Sequence, residues 1–566
     1  MNIQAIYHKG DSEDAYIFPE TVCNIRIKTG KEIKKVTLLF GEPFDYQADD
    51  KGNWSWIYEK GEMKKISESK LFAYWSVTVK SDTKRLQYGF LVHEDEDANF
   101  DKLPDEKLLK NEIPDSEESS IFYGINGPLK ISKRLLTSGS QFFKMPYFQE
   151  ADMVNSPEWT YCTKWYQVIV DRFYKAGGPW RDNAGGNEPY KFFGGNLKGL
   201  QEKLPYIKSL GFNGLYMCPI FTSPSIHKYN TENYFEVDPQ YGTKDDLKNL
   251  IDAAHKMGMR VMLDGVFNHV GTTSEIWEDI LLNQQKSKYA DWFYIKSWPI
   301  KKYNAETDWV VPDVEYESFA FSSQMPKWNT NNPAVQDYLI SVGEYWAKEF
   351  NIDGWRLDVA DEVDHAFWRK FRSAVRRVNP YLYFVGECQL NAQSFLEGDE
   401  FDAVMNYKMT RIINDGLLYE KISIEDMCSL ITDHLMIYRH QTNASQMNML
   451  DSHDTERILT SARGDKKKVI RALSLLYALP GAPCIYYGTE VGMVGLTDPD
   501  CRRTMIWNEA DHDLELKDRI KRMNAHRLEN WEILAFGDVT FRIEKNRLTV
   551  YRTYGGKVYS KEIDLK

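Results

Sequence analysis

Cysteine is scarce and scattered in this chain. The 566 residues hold seven: Cys23, Cys162, Cys218, Cys388, Cys428, Cys484 and Cys501. An odd number, wide spacing and no Cys-x-x-Cys argue against a disulfide framework or a zinc site, and the thiols read as buried and inert. No run of five or more Lys/Arg occurs, and the net charge is −12 with a pI near 5.6. Nucleic-acid binding needs a basic surface, so no nucleic-acid partner is expected. No apolar run reaches transmembrane length, so no membrane partner is expected either. The first 18 residues lack a basic segment followed by an apolar one, which does not read as a signal peptide. The expectation is a reduced, cytoplasmic protein.

Hydrophobic residues at 42% and charged residues at 27% give the composition of a globular protein, and the length divides into three or four domains. Residues 1–125 read as a β-sandwich. Cys23–Lys28 alternates polar and apolar, Val36–Phe40 and Tyr74–Val79 are β-branched and aromatic, and turn signals such as Asp50-Lys51-Gly52-Asn53 separate them. The acidic stretch 92–120 reads as a connection.

Strands and helices then alternate. Tyr166–Val170, Asn213–Met217, Arg260–Asp264, Asp353–Asp358, Tyr383–Glu387, Phe401–Met405, Met447–Leu450 and Pro483–Gly488 are short apolar runs. Between two of them Thr243 caps a helix whose Leu247, Leu250, Ile251 and Ala254 share one face, and Gly258 ends it. Helices are also expected at 197–210, 333–350 and 467–478. About eight strand–helix units predict a (β/α)8 barrel over 126–505. Residues 270–332 are rich in Trp, Pro and Asp, lack helical periodicity, and read as a subdomain inserted after the third strand. Residues 506–566 complete the barrel and add a short β-sheet domain. The fold class is multidomain α/β.

In such barrels the reactive groups sit where the strands end. Four strands here end in acids or imidazoles: Asp264 with Asn268 and His269, Arg356 with Asp358, Glu387, and His453 with Asp454. Buried carboxylates destabilise unless they are paired or used, so the rival explanation is a structural ion-pair network. The mixture fits glycoside cleavage, which needs one carboxylate as nucleophile and one carboxylic acid as proton donor. Arg356 points the same way as Asp358 and would keep it ionised. Asp264 by itself has a second reading, which is to orient Arg356. No His-x-x-x-His accompanies the histidines, so no metal ligand is assigned. Gly177-Gly178 and Gly185-Gly186 lack the Lys-Ser/Thr of a phosphate loop, which argues against nucleotide binding. The aromatic content, with 16 Trp and 34 Tyr, suits either large cores or flat rings for sugar faces.

Asp264-Gly265-Val266-Phe267-Asn268-His269, Gly354–Glu362, Val385-Gly386-Glu387 and Ser452–Arg457 resemble, in order and strand context, the four conserved regions of the α-amylase family. The likeness runs from about residue 5 to 510. Within the family it is similar to the cyclomaltodextrinase, neopullulanase and maltogenic amylase subgroup, on Met325-Pro326-Lys327-Trp328-Asn329, Asp361-Glu362 and an N-terminal domain with Gln87-Tyr88-Gly89-Phe90 near its end.

The resemblance implies a retaining hydrolase with Asp358 as nucleophile, Glu387 as general acid/base and Asp454 as transition-state stabiliser. It implies Arg356, His269 and His453 at the sugar being cleaved, Tyr229 stacked on that sugar, and Asp498 and Arg502 on the next. Glu362 and Trp328 fall on the leaving-group side. The implied substrates are α-1,4-linked cyclodextrins, maltooligosaccharides or pullulan, with transfer to sugar acceptors. The N-terminal domain implies a homodimer. The subgroup usually has Asp where this chain has Asn230, and often Asp at Asn196 and Asn233; Leu is more typical at Trp328. Lys175-Ala176-Gly177-Gly178 replaces the usual Asn-Gly-Asp calcium loop, so no cofactor is required and calcium, where bound, lacks its usual place. Two other outcomes stand beside the main one: an α-1,6-glucosidase or transglycosylating isomerase, and a catalytically silent carbohydrate-binding protein. Filled catalytic positions argue against the silent protein.

Overall fold

A computed structural model describes residues 1–98, 118–185, 191–305, 307–389 and 391–566. The chain forms two compact units. The central part of the expected 92–120 connection, and Gly186 of the Gly-Gly loop, lie outside the described residues.

The first unit comprises Met1–Val154, Ser423–His440 and Asp538–Glu562. Its strands Val22–Gly30 and Phe72–Lys80 pair antiparallel in one sheet, and Lys35–Gly41 pairs with Gln87–His93 in the other. Ile25 and Ile27 from the first sheet share a buried core with Val36, Leu38, Phe90 and Val92 from the second. This is the expected sandwich, but it runs past residue 125: Gly127–Leu129 and Phe143–Lys144 still pair into the second sheet. The three-stranded sheet Asp538–Glu544, Arg547–Tyr554 and Lys557–Asp564 groups with this unit, and Ser67 Oγ donates to Val539 O at 2.9 Å.

The second unit holds the barrel. Its eight parallel strands are, in chain order, Trp165–Val168, Gly214–Met217, Arg260–Gly265, Gly354–Leu357, Tyr383–Gly386, Ala403–Val404, Met447–Asn448 and Ala482–Tyr486. The parallel bridge Met405↔Met447 joins the sixth to the seventh and closes the ring. Side chains fill the interior: Trp165, Tyr216, Met262, Tyr383, Met405 and Met447 share one buried cluster, with Trp165 and Tyr383 stacked at 6.1 Å. Gly214, paired with Trp165, makes room for that ring; a Cβ there would lie 2.5 Å from it. Large and small residues thus alternate around the barrel, as a packed core requires.

The helices follow their sequence signals. Thr243 and Asp246 form a reciprocal capping box on Lys244–Lys256, and Gly258 takes φ +67° beyond its end. Asn332 caps Pro333–Phe350, with proline at the start where its missing N–H is harmless. The inserted segment departs from expectation: Glu275–Asn283 is an α-helix, capped by Ser274, which buries Trp277 and Ile280.

Candidate active site

The barrel mouth gathers the expected residues around one guanidinium. Asp264 lies on the third strand and Arg356 on the fourth; Asp358 and Glu387 stand just past the fourth and fifth strand ends. The ladder continues beyond those ends: Asp358 N donates to Gly265 O at 3.0 Å, Glu387 N to Leu357 O at 2.9 Å and Ala360 N to Glu387 O at 3.0 Å. Strand-grade backbone bonds therefore fix both carboxyl-bearing residues.

Arg356 Nη1 donates to Asp358 Oδ1 at 2.7 Å and to Asp264 Oδ1 at 2.9 Å. Its Nη2 lies 2.8 Å from Glu387 Oε2, a close charge contact rather than an aligned hydrogen bond. Burial would lower Arg356, but Asp264 and Glu387 hold it firmly charged. Burial also pushes Asp358 well above the ordinary carboxyl range; Arg356 opposes this, and Glu387 and Asp264 add to it. Asp264 is pushed up to about 6, again chiefly by burial against Arg356. Arg356 acts in the direction the sequence expects, favouring the ionised form of Asp358, and burial opposes it.

Val359, directly after Asp358, has φ +46°. A β-branched residue rarely adopts this left-handed conformation, and here it turns the Val359 N–H onto Glu387 Oε2 at 3.0 Å. This strained link between the two carboxyl positions has no signal in the sequence.

The wall opposite is aromatic. Tyr229 stacks on His453 with ring centroids 5.6 Å apart, and its hydroxyl bonds both His453 Nε2 and Asp264 Oδ2. Gln167 Nε2 lies 2.7 Å from His453 Nδ1, and burial together with Arg502 and Arg356 keeps that imidazole neutral. The loop carrying Tyr229 is anchored by Lys228, whose buried ammonium meets Asp238 Oδ2 at 2.7 Å, Gln240 Oε1 at 2.9 Å and Ser223 O at 3.1 Å. Arg502 reaches Asp454 Oδ1 at 3.0 Å, Asp498 Oδ1 at 3.1 Å and His453 O at 2.8 Å. Asp454 is the most open of the three expected catalytic carboxylates, with its side chain 34% exposed. Asp498 and Glu362 are also exposed.

Four residues expected at the sugars are buried. Asp264 is buried and held by Arg356, Tyr216 and Tyr229, an arrangement that suits the orienting reading. Arg356 itself has no exposed side-chain surface and is paired with its carboxylates. His269 is fully buried, with Nε2 3.1 Å from Tyr229 O and its ring stacked on Phe319. The Trp328 indole is buried, stacks on Phe293 at 4.6 Å and donates to Tyr234 Oη at 3.2 Å. Its neighbour Lys327 turns toward Glu362. Lys327 Nζ bonds Asn268 Oδ1, Glu362 O at 2.8 Å and Glu362 Oε2 at 3.3 Å. The alternation along an extended segment carries the signal, since adjacent side chains face opposite ways.

The loop that replaces the calcium-type sequence does not fit a metal. Asn196 Oδ1 already accepts from Ala176 N and Gly199 N, and the Lys175 side chain lies across Gly178 and Gly194. Among the described residues no group of three or more His, Cys, Asp or Glu is arranged to hold a metal ion.

Carboxyls converging on an arginine at the carboxyl end of a closed (β/α)8 barrel, beside a stacked Tyr–His wall, define a glycoside hydrolase. Residues 167–532 match the family described as alpha amylase, catalytic domain, and residues 1–122 match alpha amylase, N-terminal ig-like domain; the chain belongs to the α-amylase family. It is 38% identical over 552 residues to the intracellular maltogenic amylase of Bacillus subtilis, covering 96% of this chain and 87% of that protein. It is 37% identical to the cyclomaltodextrinase of Geobacillus thermopakistaniensis (strain MAS1), covering 98% and 90%. A solved cyclomaltodextrinase structure superposes with a TM-score of 0.87 at 34% identity, covering 99% of this chain and 91% of that one.

Proposed function

We propose that this enzyme hydrolyses α-1,4-glucosidic bonds in cyclodextrins, maltooligosaccharides or pullulan with retention of anomeric configuration, and transfers glycosyl units to sugar acceptors. The observation that carries the reading is the shared guanidinium: holding Asp358 and Glu387 on one arginine favours the close carboxyl spacing, about 5–5.5 Å, that retaining chemistry uses. Asp358 attacks the anomeric carbon while Glu387 protonates the departing glycosidic oxygen. Glu387 then takes a proton from water, which attacks the same carbon and frees Asp358; a sugar hydroxyl in place of water gives transfer. Asp454, the exposed carboxylate, holds ring hydroxyls and balances the developing positive charge. Tyr229 offers its ring to that sugar, Asp498 and Arg502 serve the next one, and Glu362 positioned by Lys327 faces the acceptor. No cofactor is required.

Similarity to the Bacillus subtilis protein named an intracellular maltogenic amylase, together with seven free cysteines, supports a cytoplasmic location. A homodimer is proposed from the subgroup likeness. Incubation with β-cyclodextrin, pullulan and soluble starch tests the substrate reading. Rapid ring opening with weak starch cleavage is expected, and Asp358→Asn abolishes it while leaving the circular dichroism spectrum unchanged. Cleavage of none of the three, or undiminished turnover by Asp358→Asn, contradicts it.

A further inference from the structure

The inserted subdomain turns large apolar side chains outward beside the barrel mouth. Trp309 is 37% exposed, Val310 60% and Phe321 64%. They sit on a short ladder: Val310 pairs with Ser322, Ser323 N donates to Trp309 O at 3.0 Å, and Val311 N donates to Phe321 O at 3.0 Å. The register sets Phe321 diagonally across from Trp309. Ala320 and Phe321 take φ values of +49° and +58°, so two consecutive non-glycine residues are held left-handed to present this edge. Strain of that kind persists only where its surroundings enforce it. Here Phe319, stacked on His269 at 5.2 Å, ties the segment to the barrel, and Tyr316 Oη donates to Ser323 O at 2.7 Å.

The ladder is also continuous with the reactive centre. Rings run outward from His453 to Tyr229 at 5.6 Å, from Tyr229 to His227 at 6.0 Å, and from His227 to Trp309 at 6.2 Å. Isolated exposed apolar residues are ordinary, but an exposed ring that continues a line of rings out of a site marks a binding surface. A ring with two rotatable bonds loses little entropy when a flat partner settles on it.

We propose that Trp309, with Phe321 beside it, is a stacking platform for an outer glucosyl ring of the substrate, one removed from the sugars held by Tyr229, Asp454 and Arg502, and that it sets a preference for longer or cyclic glucans. This rests on the α-glucan reading above. The occupant is a glucan chain because the platform continues the line of rings that begins at the catalytic carboxylates.

The test is kcat/KM across linear maltooligosaccharides from maltotriose to maltohexaose, and for β-cyclodextrin, with the full chain. In Trp309→Ala the ratio of maltohexaose to maltotriose efficiency falls about tenfold; Trp309→Phe restores most of it, and Phe321→Ala gives a smaller loss in the same direction. A ratio that stays unaltered overturns the proposal, as does one that Trp309→Phe fails to rescue. Maltohexaose binding to Asp358→Asn, with and without Trp309→Ala, supplies a readout independent of turnover, with weaker binding expected when Trp309 is lost. Failure of the wild type to cleave the series would count against the proposed function, whereas equal binding by those two variants would count against the platform. A change in sedimentation without a change in the length ratio would assign the surface to a second copy and overturn the proposal.

Discussion

Arg356 and Asp358 are joined by a 2.7 Å hydrogen bond, and the same Arg356 nitrogen reaches Asp264 at 2.9 Å. With Glu387 at 2.8 Å from the second nitrogen, one planar cation fixes the relative positions of three carboxyls. A lysine is a point charge and cannot span them. Arg356→Lys is therefore expected to lower kcat by about 100-fold or more, since small misplacement of reacting groups costs rates of that order. The pH–rate profile of the variant should also shift, because the lysine charge no longer meets all three carboxyls at once. An unchanged profile with a modest loss of kcat would show that Arg356 is only structural.

Trp328 belongs to the core of the inserted subdomain. Trp328→Ala should destabilise the protein by about 3–5 kcal/mol, read as a lower denaturation midpoint, while Trp328→Leu should cost less because more of the cavity stays filled. A large change in substrate preference at full stability would restore Trp328 to the site.

Lys327 is expected to act through Glu362. Lys327→Met and Glu362→Gln should each change the ratio of transfer to hydrolysis, and the double variant should change it no further than the larger single effect. Additive effects would show two independent roles.

Acid should draw stability from the fold through five buried histidines, against the opposing effect of three carboxyls, Asp14, Asp264 and Asp538, which burial raises to about 6. Burial lowers His8, His227 and His269 from 6.5 to about 3, and His93 and His440 to about 4. These are bases with depressed folded values, so the stability they lend is present above pH 6.5. Below that pH the unfolded chain takes up protons that the folded chain refuses. Stability is lost as pH falls from 6.5 toward 4, at up to about 1.4 kcal/mol per pH unit for each such histidine. The melting temperature between pH 7 and pH 4.5 checks this; a flat profile contradicts it.

The barrel was legible because each strand is a short apolar run and several of them end on a carboxylate or imidazole. Position along a strand then foretold position at the mouth for Asp264, Arg356, Asp358 and Glu387. Burial was not legible. Alternation along Met325-Pro326-Lys327-Trp328 sets Lys327 and Trp328 on opposite sides without saying which turns inward, and the structure turns in Trp328 while Lys327 faces Glu362. The helix Glu275–Asn283 was missed although Ser274 caps it and Trp277 and Ile280 lie three apart on one face; nine residues are too few for periodicity to stand out. The left-handed Val359 follows from tertiary constraint alone.

The central claim is retention through Asp358 and Glu387. Proton NMR of the first minutes of maltooligosaccharide hydrolysis, before mutarotation, reads it directly. The α-anomer should appear first at the new reducing end, and the signal should vanish in Asp358→Asn. Initial release of the β-anomer would contradict the double-displacement mechanism and the roles given to both residues.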